Sequence, residues 1–174
     1  MSPSSSVGRD GRKVRLSFIL IAAFLAAVAP SLTWSESAQP AVLQGAVKQR
    51  LVLDDALLKS LPAVTIDVTF EAAQGSKSGR YTGVLLWALL EKAEAIDEPG
   101  KNASLKHTLL ITGRDGYAVA LAMGEIDPHY EGKQVIVAYS GGDPPASMSS
   151  LRLLVPGDVH GGRSVRDIAT IELR

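Results

Sequence analysis

The sequence contains no cysteine. This absence excludes disulfide bonds, thiolate metal sites and cysteine nucleophiles. A serine–histidine–aspartate arrangement and a G-x-S-x-G motif are also missing. The three histidines, His107, His129 and His160, share no spacing typical of metal ligands. Since the protein offers no redox group of its own, a redox reaction would require a bound cofactor.

The chain also lacks a net charge, which is zero over 174 residues. A nucleic-acid-binding protein would normally carry an excess of basic residues, so this class is not indicated. The composition, 46% hydrophobic and 21% charged, is that of an ordinary globular domain. The length predicts one domain with a segment left over for targeting.

No apolar run is long enough to span a membrane. The longest, Leu16–Ala29, is shorter than the about 20 residues that a membrane helix needs. Basic residues precede it, Pro30 ends it, and small residues suitable for cleavage follow up to Ala38. This order is typical of a secretory signal peptide, with an uncleaved anchor as the alternative. We therefore predict a signal peptide over residues 1–38 and a mature protein in the periplasm.

Patterns along the rest of the chain predict an α+β fold with a mixed sheet, in a single domain. Residues 39–50 are weakly patterned and are interpreted as a lead-in, so the domain is placed at 51–174. Polar and glycine-rich residues predict a loop over 71–80, and Thr82 is expected to cap a helix. A helix is also predicted over 55–61. The predicted strands are 51–53, 64–70, 107–112, 117–121, 134–139, 151–155 and 168–173.

One loop stands out because it concentrates glycine and guanidinium groups between two apolar strands. It runs from Gly157 to Arg166. Glycine allows backbone N–H groups to approach a ligand closely, and guanidinium groups bind anions or stack on flat rings. The sequence pattern leaves two readings open: a surface turn with solvated arginines, or a cradle for an anion or a planar heterocycle.

Three segments together resemble a known family. They are YTGVLLWALL, RDGY and LRLLVPG followed by GGRSVR, in this order. They are similar to segments of the molybdopterin-binding domain of the sulfite oxidase family. The resemblance covers most of residues 50–174 and implies the sulfite-oxidase-type fold as one domain. One departure is Asp167, which stands where the family usually has an aromatic residue.

The resemblance also implies a molybdenum-ligating cysteine in the region 70–80, which this chain lacks. Oxidoreductase activity and bound molybdenum are therefore not expected, and the expected ligand is a reduced pterin or a molybdopterin-like pterin. The family resemblance favours a non-catalytic pterin-binding protein, similar to exported pterin sensors that act on the periplasmic domain of a membrane enzyme of cyclic-di-GMP signalling. Two alternatives remain open: a molybdenum-cofactor oxidoreductase or its accessory subunit, and an interaction module with an empty pocket.

The candidate pterin-binding residues come from the glycine-rich loop, Gly157 to Arg166, and from the YTGVLLWALL and RDGY segments. Aromatic rings would stack on the pterin, guanidinium groups would stack or bind a phosphate, and carboxylates would accept hydrogen bonds from the 2-amino edge. The candidates are Tyr81, Trp87, Arg114, Asp115, Tyr117, Gly157, Asp158, His160, Gly161, Gly162, Arg163, Ser164 and Arg166. We further expect Arg114, Asp115, Asp158 and Arg163 to border one cleft.

Overall fold

The computed structural model describes residues 39–73, 75–95 and 101–174. The predicted signal peptide lies outside the described residues, as do Gln74 and residues 96–100. Within the described residues, no helix has the length and apolar character needed to cross a membrane.

A five-stranded mixed sheet combines strands from both ends of the described chain with a hairpin from its middle. Its strands are β1 (Val42–Gly45), β2 (Leu51–Val52), β5 (Thr108–Gly113), β6 (Ala118–Ala122) and β9 (Ile168–Leu173), in the order β2-β1-β9-β5-β6. The pair β1–β9 is parallel, and the other neighbours are antiparallel. The C-terminal strand thus lies at the centre of the sheet, with the N-terminal strand beside it.

A four-stranded antiparallel sheet carries the site described below. Its strands are β3 (Ala63–Ala72), β4 (Gly75–Leu85), β7 (Ile136–Gly141) and β8 (Arg152–Leu154), in the order β3-β4-β7-β8. The pair β3–β4 is a long hairpin, and its register runs from Ala63 opposite Val84 to Ala72 opposite Gly75.

Three short α-helices connect the strands: α1 (Asp55–Ser60), α2 (Leu86–Lys92) and α3 (Met123–Ile126). Asp54 caps α1 by accepting a hydrogen bond from the backbone N–H of Leu57 at 2.8 Å, as its sequence position predicts. Short 3₁₀ turns lie at Ala103–Lys106 and Gly161–Arg163.

The main core is formed by the two sheets and α2. Leu43, Ile111 and Ile171 contribute from the five-stranded sheet, Val137 and Leu153 from the four-stranded sheet, and the helix adds Leu86, Leu89 and Leu90. A smaller apolar cluster lies on the other face of the four-stranded sheet and includes Val68, Tyr81 and Leu154.

The prediction of an α+β fold with a mixed sheet is confirmed, but two local predictions were wrong. Residues 71–80 do not form a loop: all but its tip lies in the β3–β4 hairpin. Thr82 does not open a helix, because it belongs to β4 and α2 begins only at Leu86. The end of this hairpin is exposed on both faces, so its polar sequence carries no alternating pattern. A strand was also missed at Val42–Gly45, inside the segment interpreted as a lead-in.

Candidate functional site

Strand alternation places a small set of side chains on the outer face of the four-stranded sheet, away from the main core. In β7 and β8, Val137 and Leu153 enter the main core, whereas Ile136, Ala138 and Leu154 belong to the outer cluster. Successive side chains of a strand point to opposite faces. Arg152, two residues before Leu154, therefore shares the outer face.

A cavity of about 490 Å³ lies over this face and is called here the sheet-face cavity. It lies between the β3–β4 hairpin, the beginning of β8 and the glycine-rich loop. Its lining residues are Val68, Phe70, Glu71, Ala72, Lys77, Ser78, Gly79, Tyr81, Asp143, Arg152, Gly161, Ser164 and Arg166. Its volume falls in the range of about 300–1,000 Å³ that small-molecule sites occupy.

Arg152 is the most unusual residue of the cavity because it is a nearly buried cation, with 8% of its surface exposed. Its Nη1 donates a hydrogen bond to Tyr81 Oη at 3.0 Å, and its guanidinium carbon lies 5.3 Å from the centroid of the Tyr81 ring. Its Nε is buried and has no partner within the described chain. Burial lowers the pKa of Arg152; the positive charge of Arg166 adds to this shift, whereas Tyr81 opposes it. Arg152 is thus a desolvated donor with no carboxylate partner among the described residues.

A second unsatisfied group lies in the same cavity. The hydroxyl oxygen of Ser164 is buried and has no hydrogen-bond partner among the described residues. Arg166 and Lys77 add two more cationic side chains to the lining, against the carboxylates of Glu71 and Asp143. Buried polar groups are normally paired. The unpaired Arg152 Nε and Ser164 Oγ therefore indicate a site where a polar ligand could supply the missing hydrogen bonds.

The glycine-rich loop is fixed over the hairpin by hydrogen bonds. Glu71 N–H donates to the carbonyl oxygen of Val159 at 2.8 Å, and Nδ1 of His160 lies 3.1 Å from the Glu71 carbonyl oxygen. From the other side, Tyr117 Oη donates to the Gly162 carbonyl oxygen at 2.5 Å. Predicted loop residues and Tyr117 therefore hold the wall of the cavity in place.

The structure brings only some of the predicted site residues into the lining. Tyr81, Gly161, Ser164 and Arg166 line the sheet-face cavity. Trp87 instead packs against the main core. The four residues expected to border one cleft, Arg114, Asp115, Asp158 and Arg163, are not among the described lining residues, and neither are Tyr117, Gly157, His160 and Gly162. Which of them contact a ligand stays a prediction.

Arg114, Asp115, Asp158 and Arg163, the residues expected to border one cleft, form hydrogen bonds and ion pairs with other residues of the chain. Arg163 donates to both carboxylate oxygens of Asp158, at 2.9 and 2.6 Å, and to Glu125 at 2.7 Å. Arg114 pairs with Asp167 at 3.2 Å. Asp115 accepts a hydrogen bond from its neighbour Tyr117 N–H at 2.9 Å, as in an Asx turn.

Four important lining residues were missed: Phe70, Lys77, Asp143 and Arg152. Lys77 was missed because the loop prediction over 71–80 hid the hairpin. Phe70 was placed correctly in the predicted strand 64–70 but was not assigned to the site. Arg152 stood within the quoted LRLLVPG segment. Because Arg152 and Leu154 are two positions apart in a strand, they share a face, and this rule could have assigned Arg152 to the face opposite Leu153.

The Arg163 ion pairs predict a dependence of stability on pH. The hydrogen bond from Arg163 lowers the pKa of Asp158. Burial tends to raise the pKa of Glu125, but hydrogen bonds from Arg163 and Ala122 outweigh it, so this pKa is lowered too. The unfolded pKa values are about 4. Since the folded values are lower, the stabilisation is complete above the unfolded pKa and is lost as the pH falls through the folded pKa.

We therefore expect the free energy of unfolding, measured by urea denaturation, to fall between about pH 5 and about pH 3. In Arg163→Met this fall should be smaller. Arg50→Met is the matched control, since Arg50 is exposed and has no hydrogen bond or ion pair within the described chain. It should follow the wild-type curve. If the free energy of unfolding fell equally in all three proteins, the ion pairs of Arg163 would not be the cause of the pH dependence.

No protein-family model matches this chain, and no curated protein sequence matches it. Solved structures do match. One of them is the crystal structure of the sulfane dehydrogenase SoxCD from Paracoccus pantotrophus, with 20% sequence identity and a TM-score of 0.60. The match covers 80% of this chain but only 39% of that chain. At this identity the likeness shows the fold alone: this chain has the fold of part of a sulfane dehydrogenase structure.

Proposed function

We propose that the chain is an exported, non-catalytic pterin-binding protein with the sulfite-oxidase-type fold, and that the sheet-face cavity holds the pterin. The observation that carries the proposal is the pair of buried unsatisfied groups in one cavity, Arg152 Nε and Ser164 Oγ. The family resemblance of the sequence and the likeness to a sulfane dehydrogenase structure support the same choice.

The lining supplies each kind of contact that a pterin requires. A pterin is flat and aromatic, with donors and acceptors along its edges. Phe70 and Tyr81 provide rings, and Gly161 lies against Phe70: a Cβ on Gly161 would be 3.5 Å from the Phe70 ring. Asp143 and Glu71 can accept hydrogen bonds from an amino edge. Arg152, Arg166 and Ser164 can donate to ring carbonyl oxygens or to an anionic substituent.

The same lining does not fit molybdenum held by the protein. Its oxygen donors, which include Tyr81, Ser78 and Ser164, are hard groups, whereas molybdenum in the resembled family is ligated by a thiolate. The sequence has no cysteine anywhere. The site residues therefore favour the organic part of the cofactor, and the oxidoreductase alternative requires a metal without a protein thiolate.

The sensing role extends the proposal to a partner. Some exported proteins that resemble the sulfite oxidase family act as pterin sensors on the periplasmic domain of a membrane enzyme of cyclic-di-GMP signalling, and we propose the same kind of partner for this chain. A binding protein without chemistry of its own needs such a partner to transmit occupancy. We place this chain in the periplasm on the strength of its N-terminal sequence pattern.

Mass spectrometry of small molecules released from the purified native protein tests the proposal, combined with molybdenum analysis of the same sample. We expect a pterin close to one equivalent and no stoichiometric molybdenum. Stoichiometric molybdenum would instead identify an oxidoreductase. If no pterin co-purifies and added tetrahydrobiopterin does not bind, the proposal fails and the empty interaction module is favoured.

A further inference from the structure

A second cavity, of about 440 Å³, lies elsewhere in the molecule. It is bordered by α2 and by the segment that contains α3. Its described lining includes Trp87, Leu90, Glu91, His107, Met123 and Asp127. None of them lines the sheet-face cavity. The two cavities therefore have separate chemistry.

His107 gives the second cavity an unsatisfied hydrogen-bond acceptor. Its side chain is nearly buried, with 9% exposure, and its Nδ1 lies 3.1 Å from the carbonyl oxygen of Arg174. A carbonyl oxygen can only accept, so Nδ1 carries a proton, and in the neutral imidazole Nε2 presents a lone pair. Nε2 is buried and has no partner among the described residues. A ligand that donates an N–H group would satisfy it.

Of the three carboxylates in the described lining, only Glu91 has no donor from the described chain. Glu91 is exposed, and its side chain has no hydrogen bond or ion pair within the described chain. Glu94 is instead held by Lys48 at 3.3 Å and Gln49 at 2.7 Å. Burial tends to raise the pKa of Asp127, but hydrogen bonds from His129 and Ser104 outweigh it and keep this carboxyl ionised. The cavity therefore combines excess negative charge with an open acceptor on His107.

The remaining surface of the cavity is apolar. Trp87, Leu90 and Met123 line it, and the face of an indole ring attracts cations. We propose that the second cavity binds a small organic cation: a protonated amine on an apolar body. The ammonium group would donate to Glu91 and to His107 Nε2, and the body would pack on Trp87, Leu90 and Met123.

Calorimetric titration with phenethylamine tests this site, with 2-phenylethanol as a neutral ligand of the same shape. We expect the amine to bind and the alcohol to bind at least about tenfold more weakly, because only the amine carries a charge. Glu91→Gln should weaken amine binding by about tenfold. Glu91 is exposed, so this variant should fold normally. Asp55→Asn, on the exposed face of α1, is the matched control and should bind as the wild type does.

His107→Gln provides a second variant, and it should also weaken amine binding once thermal unfolding shows that it is folded. The proposal is overturned if phenethylamine does not bind, if the alcohol binds equally well, or if Glu91→Gln leaves the amine affinity unchanged. Arg152→Met should not alter amine binding, so this result is independent of the pterin proposal.

Discussion

Arg152→Met is expected to lose pterin affinity while the ligand-free protein remains at least as stable as the wild type. Arg152 is a nearly buried cation without a carboxylate partner, and Arg166 lines the same cavity. A desolvated charge of this kind costs stability, and methionine fills a similar volume without that cost. This gain offsets the loss of the hydrogen bond from Arg152 to Tyr81 Oη. With a ligand bound, the same guanidinium would supply charged hydrogen bonds that methionine cannot make.

The expected loss of affinity follows from the strength of such bonds. A hydrogen bond that involves a charged group contributes about 1.5–3 kcal/mol, which corresponds to a loss of roughly 10- to 100-fold in affinity. Calorimetric titration with tetrahydrobiopterin would measure it. Urea denaturation of the ligand-free protein should show an unfolding free energy that is unchanged or raised by about 1 kcal/mol.

Arg80→Met is the matched control for this experiment. Arg80 precedes Tyr81 in β4, but its side chain is exposed and pairs with Asp67 at 2.9 Å. Its replacement should leave the affinity for the pterin unchanged. An Arg152→Met protein that binds the pterin as tightly as the wild type would place the ligand outside the sheet-face cavity.

Arg163 is less suitable than Arg152 for testing the cavity, although the sequence pattern favoured it. Its guanidinium is occupied by Asp158 and Glu125. A loss of ligand in an Arg163 variant could therefore arise from a displaced loop. Ion pairs between residues 38 positions apart, such as Arg163 with Glu125, depend on tertiary packing, which the local sequence does not report.

Most strands buried on at least one face were predictable because burial leaves a visible pattern. The strand β1 is an exception, since it was missed although its Leu43 lies in the main core. The runs at Leu109–Ile111 and Ile168–Leu173 lie in strands of the five-stranded sheet as expected. The β3–β4 hairpin shows the opposite case. Its backbone pairing continues to Ala72 and Gly75, although its end is exposed on both faces and nothing selects apolar residues there.

The candidate site was only partly predictable, because one of its walls is local in sequence and the other is not. The glycine-rich loop was recognisable as one wall, since Gly161, Ser164 and Arg166 are local in sequence. The opposite wall comes from the hairpin, whose position over the loop is set by contacts such as Glu71 with Val159. Convergence of distant segments follows from sheet order, and sheet order is a property of the whole chain.

Gly83→Ala is expected to be among the most destabilising single-methyl additions in the chain. Gly83 is the glycine of the YTG segment, and β4 shifts register against β7 between Thr82 and Gly83. A Cβ at this position would lie 2.2 Å from the carbonyl oxygen of Val137 and 2.5 Å from Cα of Ala138. Both contacts are with backbone, so relief requires β4 and β7 to separate. The role of this glycine is thus close strand approach, and not the opening of a helix.

We expect Gly83→Ala to lower the free energy of unfolding by about 2–4 kcal/mol, measured by urea denaturation. Gly162→Ala is the matched control, because a Cβ there would meet nothing within 4 Å and the residue has no positive φ. It should change stability by no more than about 0.5 kcal/mol. If both alanine variants were equally stable, β4 and β7 could not lie as close at Gly83 as described. The wall of the sheet-face cavity that Tyr81 provides would then need to be placed differently, since Tyr81 lies two residues before Gly83 on the same strand.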